Sequence, residues 1–252
     1  MRLPMTRPHL LPAMFAITLA FAVSGCAGKA IAPHSTAVPP SHESLRVGIV
    51  VVEDEIVLSG RLYGAENKPL VILTHMRPND QRAWFSFAEE LANEGYAALT
   101  FDFRGYGESE GRQDYAKLDD DLRAVVNYER DQGRDQIFLV GASMGGTTAL
   151  VVGADEDIAG VVAISPPSVF EGQDALGAMP NIRAPKLLIA SEEDTAAKLS
   201  LDELVQAAAP PVDSETYTGN AHGSDLFDPL RSEHSGEVKQ RVIDFLNRYS
   251  DR

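Results

Sequence analysis

A hydroxyl becomes a useful nucleophile only when the backbone presents it and a base takes its proton. The run Gly141-Ala142-Ser143-Met144-Gly145-Gly146 offers such a presentation. It follows the apolar stretch Gln136–Val140 and precedes Thr147–Val152, so it reads as strand, sharp turn and helix with Ser143 at the apex. Glycines at 141 and 145 remove Cβ atoms that would hold strand and helix apart. The helix start beyond Ser143 supplies free N–H groups and a partial positive charge where an oxyanion would form. Taken alone, the pentapeptide is equally an ordinary strand-to-helix turn with a serine cap; other residues must decide.

A serine nucleophile needs a base, and the base needs an orienting acid. Of the six histidines, His9, His34 and His42 precede the folded part, which leaves His75, His222 and His234. His222 lies in Gly219-Asn220-Ala221-His222-Gly223-Ser224, small residues that can carry an imidazole over a sheet edge without bulk. His234 stands among charged neighbours at the start of the last helix and reads as a solvated side chain. The acid should follow a strand between Ser143 and His222. Lys186–Ala190 runs into Ser191-Glu192-Glu193-Asp194, and Asp194 is the choice because a few loop residues are needed to turn back over the sheet edge. Glu192 and Glu193 stay open as orienters, as do Glu171 and Asp174 after the preceding strand.

These side chains can meet only on a scaffold that stacks their loops. Short apolar runs at Arg46–Val52, Ile56–Tyr63, Leu70–Thr74, Tyr96–Phe103, Ile137–Val140, Gly160–Ile164, Pro185–Ala190 and Asp213–Tyr217 read as strands. Amphipathic segments at Gln81–Glu94, Ala116–Gln132, Leu199–Ala209 and Glu237–Arg248 read as helices, together with the one after Ser143. Alternation of this kind implies a three-layer α/β/α sandwich around a mostly parallel eight-stranded sheet, with an antiparallel N-terminal edge. Reactive groups on such sheets collect in loops at the carboxyl ends of the strands.

The chain start reads differently. Arg2 and Arg7 precede the apolar run Leu10–Val23, which is shorter than the roughly 20 residues a bilayer span needs. Residues 1–25 therefore read as a secretory signal. Val23-Ser24-Gly25-Cys26 resembles a bacterial lipobox, in which Cys26 is lipidated and becomes the mature N-terminus. Ala27 rather than aspartate follows it; by resemblance to bacterial sorting rules this implies the periplasmic side of the outer membrane. Residues 26–44 are rich in proline and serine and read as a tether, and residues 45–252 as one domain. Cys26 is the only cysteine, which excludes an intrachain disulfide. A net charge of −15 argues against nucleic acid as a partner and against a basic face docked on anionic lipid.

The order Ser143, Asp194, His222, with the strand-flanked serine turn, resembles the α/β-hydrolase superfamily, in particular its uncapped esterases and dienelactone-hydrolase-like members. Two further segments carry the likeness: Thr74-His75-Met76, where the family often has His-Gly, and Asp102-Phe103-Arg104-Gly105-Tyr106-Gly107-Glu108-Ser109 after the fourth strand. The resemblance implies a Ser143–His222–Asp194 triad and an oxyanion hole from the backbone N–H groups of Met144 and Met76. It gives His75 and Arg104 structural roles. It implies acyl transfer in two steps on a small ester-type substrate, with no metal or organic cofactor. Only about 20 residues, Ser165 to Ala184, stand where relatives carry a cap, so an open site is expected. Tyr115, Trp84, Phe170, Met179 and Phe227 are candidate pocket walls, or plain packing. Thioester and amide hydrolysis, perhydrolysis and a non-catalytic envelope-anchored binding protein stay open beside ester cleavage.

Overall fold

Runs such as Leu70–Thr74 are apolar at every position, and a strand of that kind must be covered on both faces. The computed structural model of the chain describes residues 44–51 and 54–250. The expected signal segment, Cys26 and residues 26–43 of the tether lie outside the described residues. Among the described residues, no helix is long and apolar enough to cross a membrane.

Eight strands form one sheet: β1 (Leu45–Val51), β2 (Ile56–Tyr63), β3 (Leu70–Thr74), β4 (Ala97–Phe101), β5 (Ile137–Ala142), β6 (Gly160–Ile164), β7 (Lys186–Ser191) and β8 (Val212–Tyr217). Their spatial order is β1-β2-β4-β3-β5-β6-β7-β8. The β1–β2 and β2–β4 pairs are antiparallel, and the remaining pairs are parallel. Every residue of β3, β4, β5, β6 and β7 is buried.

Five helices cover the sheet: α1 (Phe85–Asn93), α2 (Leu118–Asp131), α3 (Met144–Asp155), α4 (Thr195–Ala207) and α5 (Ser235–Tyr249). The two-residue period of a strand sends alternate side chains to opposite layers. On β5, Ile137 and Leu139 join Leu122 and Val125 of α2 and Leu150 of α3, whereas Phe138 and Val140 join Phe87 and Leu91 of α1 and Phe245 of α5. Two apolar cores result, one on each face, and the three-layer α/β sandwich expected from the sequence is what forms.

The elements depart from the sequence expectations mainly at their ends. Helix α4 starts at Thr195 rather than Leu199. The apolar reading began at Leu199, which is 62% exposed; Ala197, Leu201 and Leu204 are the residues that pack. The helices expected from Gln81 and Ala116 open with short 3-10 turns, Gln81–Trp84 and Tyr115–Lys117, capped by the carboxylates of Asp80 and Asp114. The connection after β6 holds a two-stranded hairpin (Val169–Phe170 with Gln173–Asp174) and a short helix, Ala175–Ala178.

The loop after β4 is braced from below. Arg104 is buried and donates to Asp121 of α2 at 2.6 and 2.9 Å and to Asp54 at 2.7 Å. Burial opposes its charge, but the hydrogen bonds to Asp121 and Asp54 outweigh burial and raise its pKa. Removing one partner of a buried pair costs at most about 3–5 kcal/mol, and here Asp54 stays paired with Arg104, which places the loss at the low end. Asp121→Ala should lower stability by about that amount in urea unfolding, whereas Lys198→Ala, which removes an exposed pair with Asp202, should change it by less than about 0.5 kcal/mol.

Candidate active site

The turn between β5 and α3 is sharper than an ordinary strand-to-helix turn. Ser143 has φ 47° and ψ −116°, left-handed for a residue with a Cβ, a conformation that costs about 1–3 kcal/mol. It is held on both sides: its N–H donates to the Ile164 carbonyl at 2.7 Å, and its carbonyl accepts from Thr147 N–H at 2.9 Å. The glycines make the crossing fit. A Cβ on Gly145 would stand 2.6 Å from the Thr74 carbonyl oxygen and 2.7 Å from that of His75, and one on Gly141 would stand 2.4 Å from the Gly145 carbonyl oxygen. Thr74 Oγ1 donates to the same Gly145 carbonyl at 3.0 Å, tying β3 to the first turn of α3.

Ser143, His222 and Asp194, drawn from three loops, meet above the carboxyl ends of β5, β7 and β8. His222 Nε2 lies 2.8 Å from Ser143 Oγ, and His222 Nδ1 lies 2.6 Å from Asp194 Oδ2. A carboxylate can only accept, so Nδ1 carries the proton and Nε2 is left to accept from the Ser143 hydroxyl. Asp194 stands at the start of α4, but its side chain makes no cap bond there and turns to His222 instead. Glu192, Glu193 and Glu171 are exposed, and Asp174 caps the short helix through Gly177 N–H at 2.8 Å. Of the carboxylates weighed, only Asp194 bonds the imidazole. His234 bonds Thr218 Oγ1 at 2.6 Å and Glu237 at 3.1 Å.

Sequence reasoning missed the residues that hold the loops in register. Ser191 ends β7, and its hydroxyl donates to the Ala221 carbonyl at 2.6 Å, one residue before His222. Ser165 follows β6, and its Oγ accepts from Gly223 N–H at 3.0 Å, one residue after His222. The N–H groups of Glu192 and Glu193 donate to the carbonyls of Tyr217 and Gly219 at 2.8 and 2.9 Å, so the β7–β8 ladder continues into the two loops. The available signal was a serine directly following an apolar run, Leu187–Ala190 in β7 and Val161–Ile164 in β6.

Met144 is buried at the first turn of α3, where its N–H has no acceptor within the helix. Met76 is also buried, its side chain against the His222 loop: a Cβ on Gly223 would stand 2.7 Å from Met76 Sδ. The methionine that departs from the family pattern is thus accommodated by a glycine beside the histidine. His75 is buried; Nε2 accepts from Phe103 N–H at 3.1 Å, so Nδ1 donates to the Met76 carbonyl at 3.1 Å. Burial lowers its pKa. Of the candidate walls, Trp84, Met179 and Phe227 are core residues, and only Tyr115 and Phe170 reach solvent. Among the described residues, no cluster of three or more His, Cys, Asp or Glu is arranged to hold a metal.

The fold and this arrangement define a class. Residues 69–208 match the family model for the alpha/beta hydrolase fold, and the chain belongs to that family. The matched stretch holds Ser143 and Asp194 and stops short of His222. A solved esterase of Pyrococcus furiosus superposes with a TM-score of 0.70 at 25% identity, covering 84% of this chain and 93% of that one. This chain is also 30% identical over 107 residues to the quorum-quenching protein AidA of Acinetobacter baumannii, covering 39% of this chain and 35% of that protein. It is 33% identical over 113 residues to epoxide hydrolase B of Mycobacterium tuberculosis, covering 43% and 31%. The matches span about a third of the length of these two curated relatives.

Gly145→Ala should destabilise the protein by about 1–3 kcal/mol, because backbone rather than a flexible side chain occupies the Cβ position. Gly236→Ala near the start of α5, where a Cβ meets nothing within 4 Å, should be neutral or stabilising by up to about 1 kcal/mol. Urea midpoints of both variants check the contrast. His75 binds its proton less readily folded than unfolded, so its contribution is complete above its unfolded pKa of about 6.5 and falls away as pH drops below it. Unfolding free energies measured between pH 8 and 5 should decline on the acid side, and His75→Gln should flatten that decline.

Proposed function

We propose that the protein is a serine hydrolase that cleaves carboxylic esters of small or exposed acyl groups through an acyl-enzyme. The observation that carries this reading is His222, bonded to Ser143 Oγ on one ring nitrogen and to Asp194 on the other. As Ser143 Oγ attacks the ester carbonyl, Nε2 takes its proton and later gives it to the departing alcohol. Asp194 holds the imidazole in the Nδ1–H tautomer and stabilises the imidazolium that forms. The oxyanion is received by the Met144 N–H, with Met76 as the second donor; one such donor contributes about 3 kcal/mol at the transition state. Water then attacks the acyl group, with His222 as base again. The connection after β6 holds one hairpin and one four-residue helix in place of a cap domain, which supports small acyl groups over long chains.

Lipidation of Cys26, and tethering on the periplasmic side of the outer membrane through residues 26–44, belong to the same reading. They rest on the sequence of residues 1–27.

The wild-type protein should hydrolyse p-nitrophenyl acetate and butyrate faster than longer esters. Ser143→Ala should cut kcat by about ten-thousandfold or more. A fluorophosphonate probe should label the wild type at Ser143 and leave the variant unlabelled. Turnover by Ser143→Ala at the wild-type rate would remove the serine from the mechanism. Cys26→Ser should shift the full-length protein from the membrane fraction to the soluble fraction of an expressing bacterium; unchanged membrane retention would refute lipid anchoring at that residue.

A further inference from the structure

Arg77 stands two residues beyond His75 in the loop that follows β3, and it is exposed. Its contacts are aromatic. The guanidinium carbon lies 5.7 Å from the ring centre of Tyr115 and 5.9 Å from that of Phe170, and Nη1 donates to Tyr115 Oη at 3.5 Å. The two rings meet edge to face at 5.4 Å. Among the described residues, Arg77 forms no ion pair. Arg104, Arg123 and Arg130, by contrast, lie against carboxylates.

This group is built from loops that leave the carboxyl ends of β3, β4 and β6, the strands beside the Ser143 turn. Tyr106, on the same loop after β4 as Tyr115, donates to Met144 Sδ at 3.9 Å, in the residue that follows Ser143. Phe170 is reached from the segment after β6, which packs on the first turn of α3 through Thr147 Oγ1 donating to the Pro167 carbonyl at 2.8 Å. Loops after β3, β4 and β6 therefore converge beside the turn that presents the serine. They place there a cation that forms no ion pair among the described residues, on a chain of net charge −15.

A planar guanidinium takes a carboxylate by two parallel N–H···O bonds, and flanking rings hold its plane and offer faces to an apolar spacer. Glu171 is the carboxylate that acts on Arg77 through space, and it opposes a multiply charged anion more than a singly charged one. Building on the ester-cleavage reading above, we propose that Arg77, Tyr115 and Phe170 form a subsite for an ionised carboxylate on the substrate. The preferred substrates are then monoesters that carry a second, free carboxylate, such as those of short dicarboxylic acids. Hydrolysis of such a monoester consumes one water and releases an alcohol, a dicarboxylate and a proton, with no further reactant.

The test compares p-nitrophenyl hemiglutarate with p-nitrophenyl butyrate, which differ in charge at similar length. Arg77→Ala should lower the hemiglutarate-to-butyrate ratio of kcat/KM about tenfold or more, chiefly through KM for the anionic ester. Arg77→Lys should restore part of it, since the charge returns without the fork. The wild-type ratio should also fall as salt is raised from 20 mM to 500 mM. A ratio that Arg77→Ala leaves unchanged overturns the proposal, even if both esters are turned over well. Binding separates this failure from a failure of the serine mechanism. In titration calorimetry, monomethyl glutarate should bind Ser143→Ala about tenfold or more tighter than Ser143→Ala/Arg77→Ala. That difference tests the subsite even if no ester is cleaved, and equal affinities refute it.

Discussion

The close crossing of α3 over β3 and β5 is the constraint on which the rest of the molecule depends. Gly145 comes so near the Thr74 and His75 carbonyls that no side chain fits, and Ser143 accepts a left-handed backbone so that its hydroxyl stands clear of the sheet. The strain is offset by the rigidity around it. Five strands buried along their whole length supply the platform, and the hydrogen bonds of Ser143 to Ile164 and Thr147 fix the turn from both sides. Relaxing that backbone would move the hydroxyl away from the imidazole that meets it at 2.8 Å.

The same logic extends outward. The histidine arrives on a loop of small residues with no regular structure of its own, so its position is set by neighbours. Ser191 and Ser165 grip that loop one residue before and one residue after His222, using buried hydroxyls at the ends of β7 and β6. Asp194 leaves α4 uncapped and bonds the imidazole instead. A helix N-terminus gives up its usual side-chain acceptor to a contact with the imidazole. Local stability is exchanged for geometry at the site, as is common where function resides.

Charge is distributed to the same effect. Arg104 lies deep against Asp54 and Asp121, where it braces the loop after β4 and is unavailable to a ligand. Arg77 lies on the surface against two aromatic rings and is available. The two arginines differ because one is held against a carboxylate of α2 and the other against the rings of Tyr115 and Phe170.

Much of the scaffold was legible in the chain, because continuous apolar strands and amphipathic helices carry their own periodicity. Strands β2, β3 and β6 fall on the residues expected. The serine turn was legible for a local reason, since the glycines that permit it are its sequence neighbours. Helix α4 was misplaced at its start because Leu199, the residue that suggested its apolar face, points to solvent. Asp194 was chosen over the adjacent Glu192 and Glu193 only from the loop length needed out of β7, because the three are alike in charge; the turn of the chain is what sets Asp194 against His222. Nor could spacing reveal that Met76 lodges against Gly223, that Ser165 and Ser191 hold the histidine loop, or that Arg77 meets Tyr115 and Phe170. Those contacts join residues 30 to 147 positions apart in the chain. The sequence by itself determined the elements and the serine turn, because these follow from short-range periodicity and backbone sterics. The tertiary structure alone decided which distant side chains meet, because that depends on how the sheet stacks its loops.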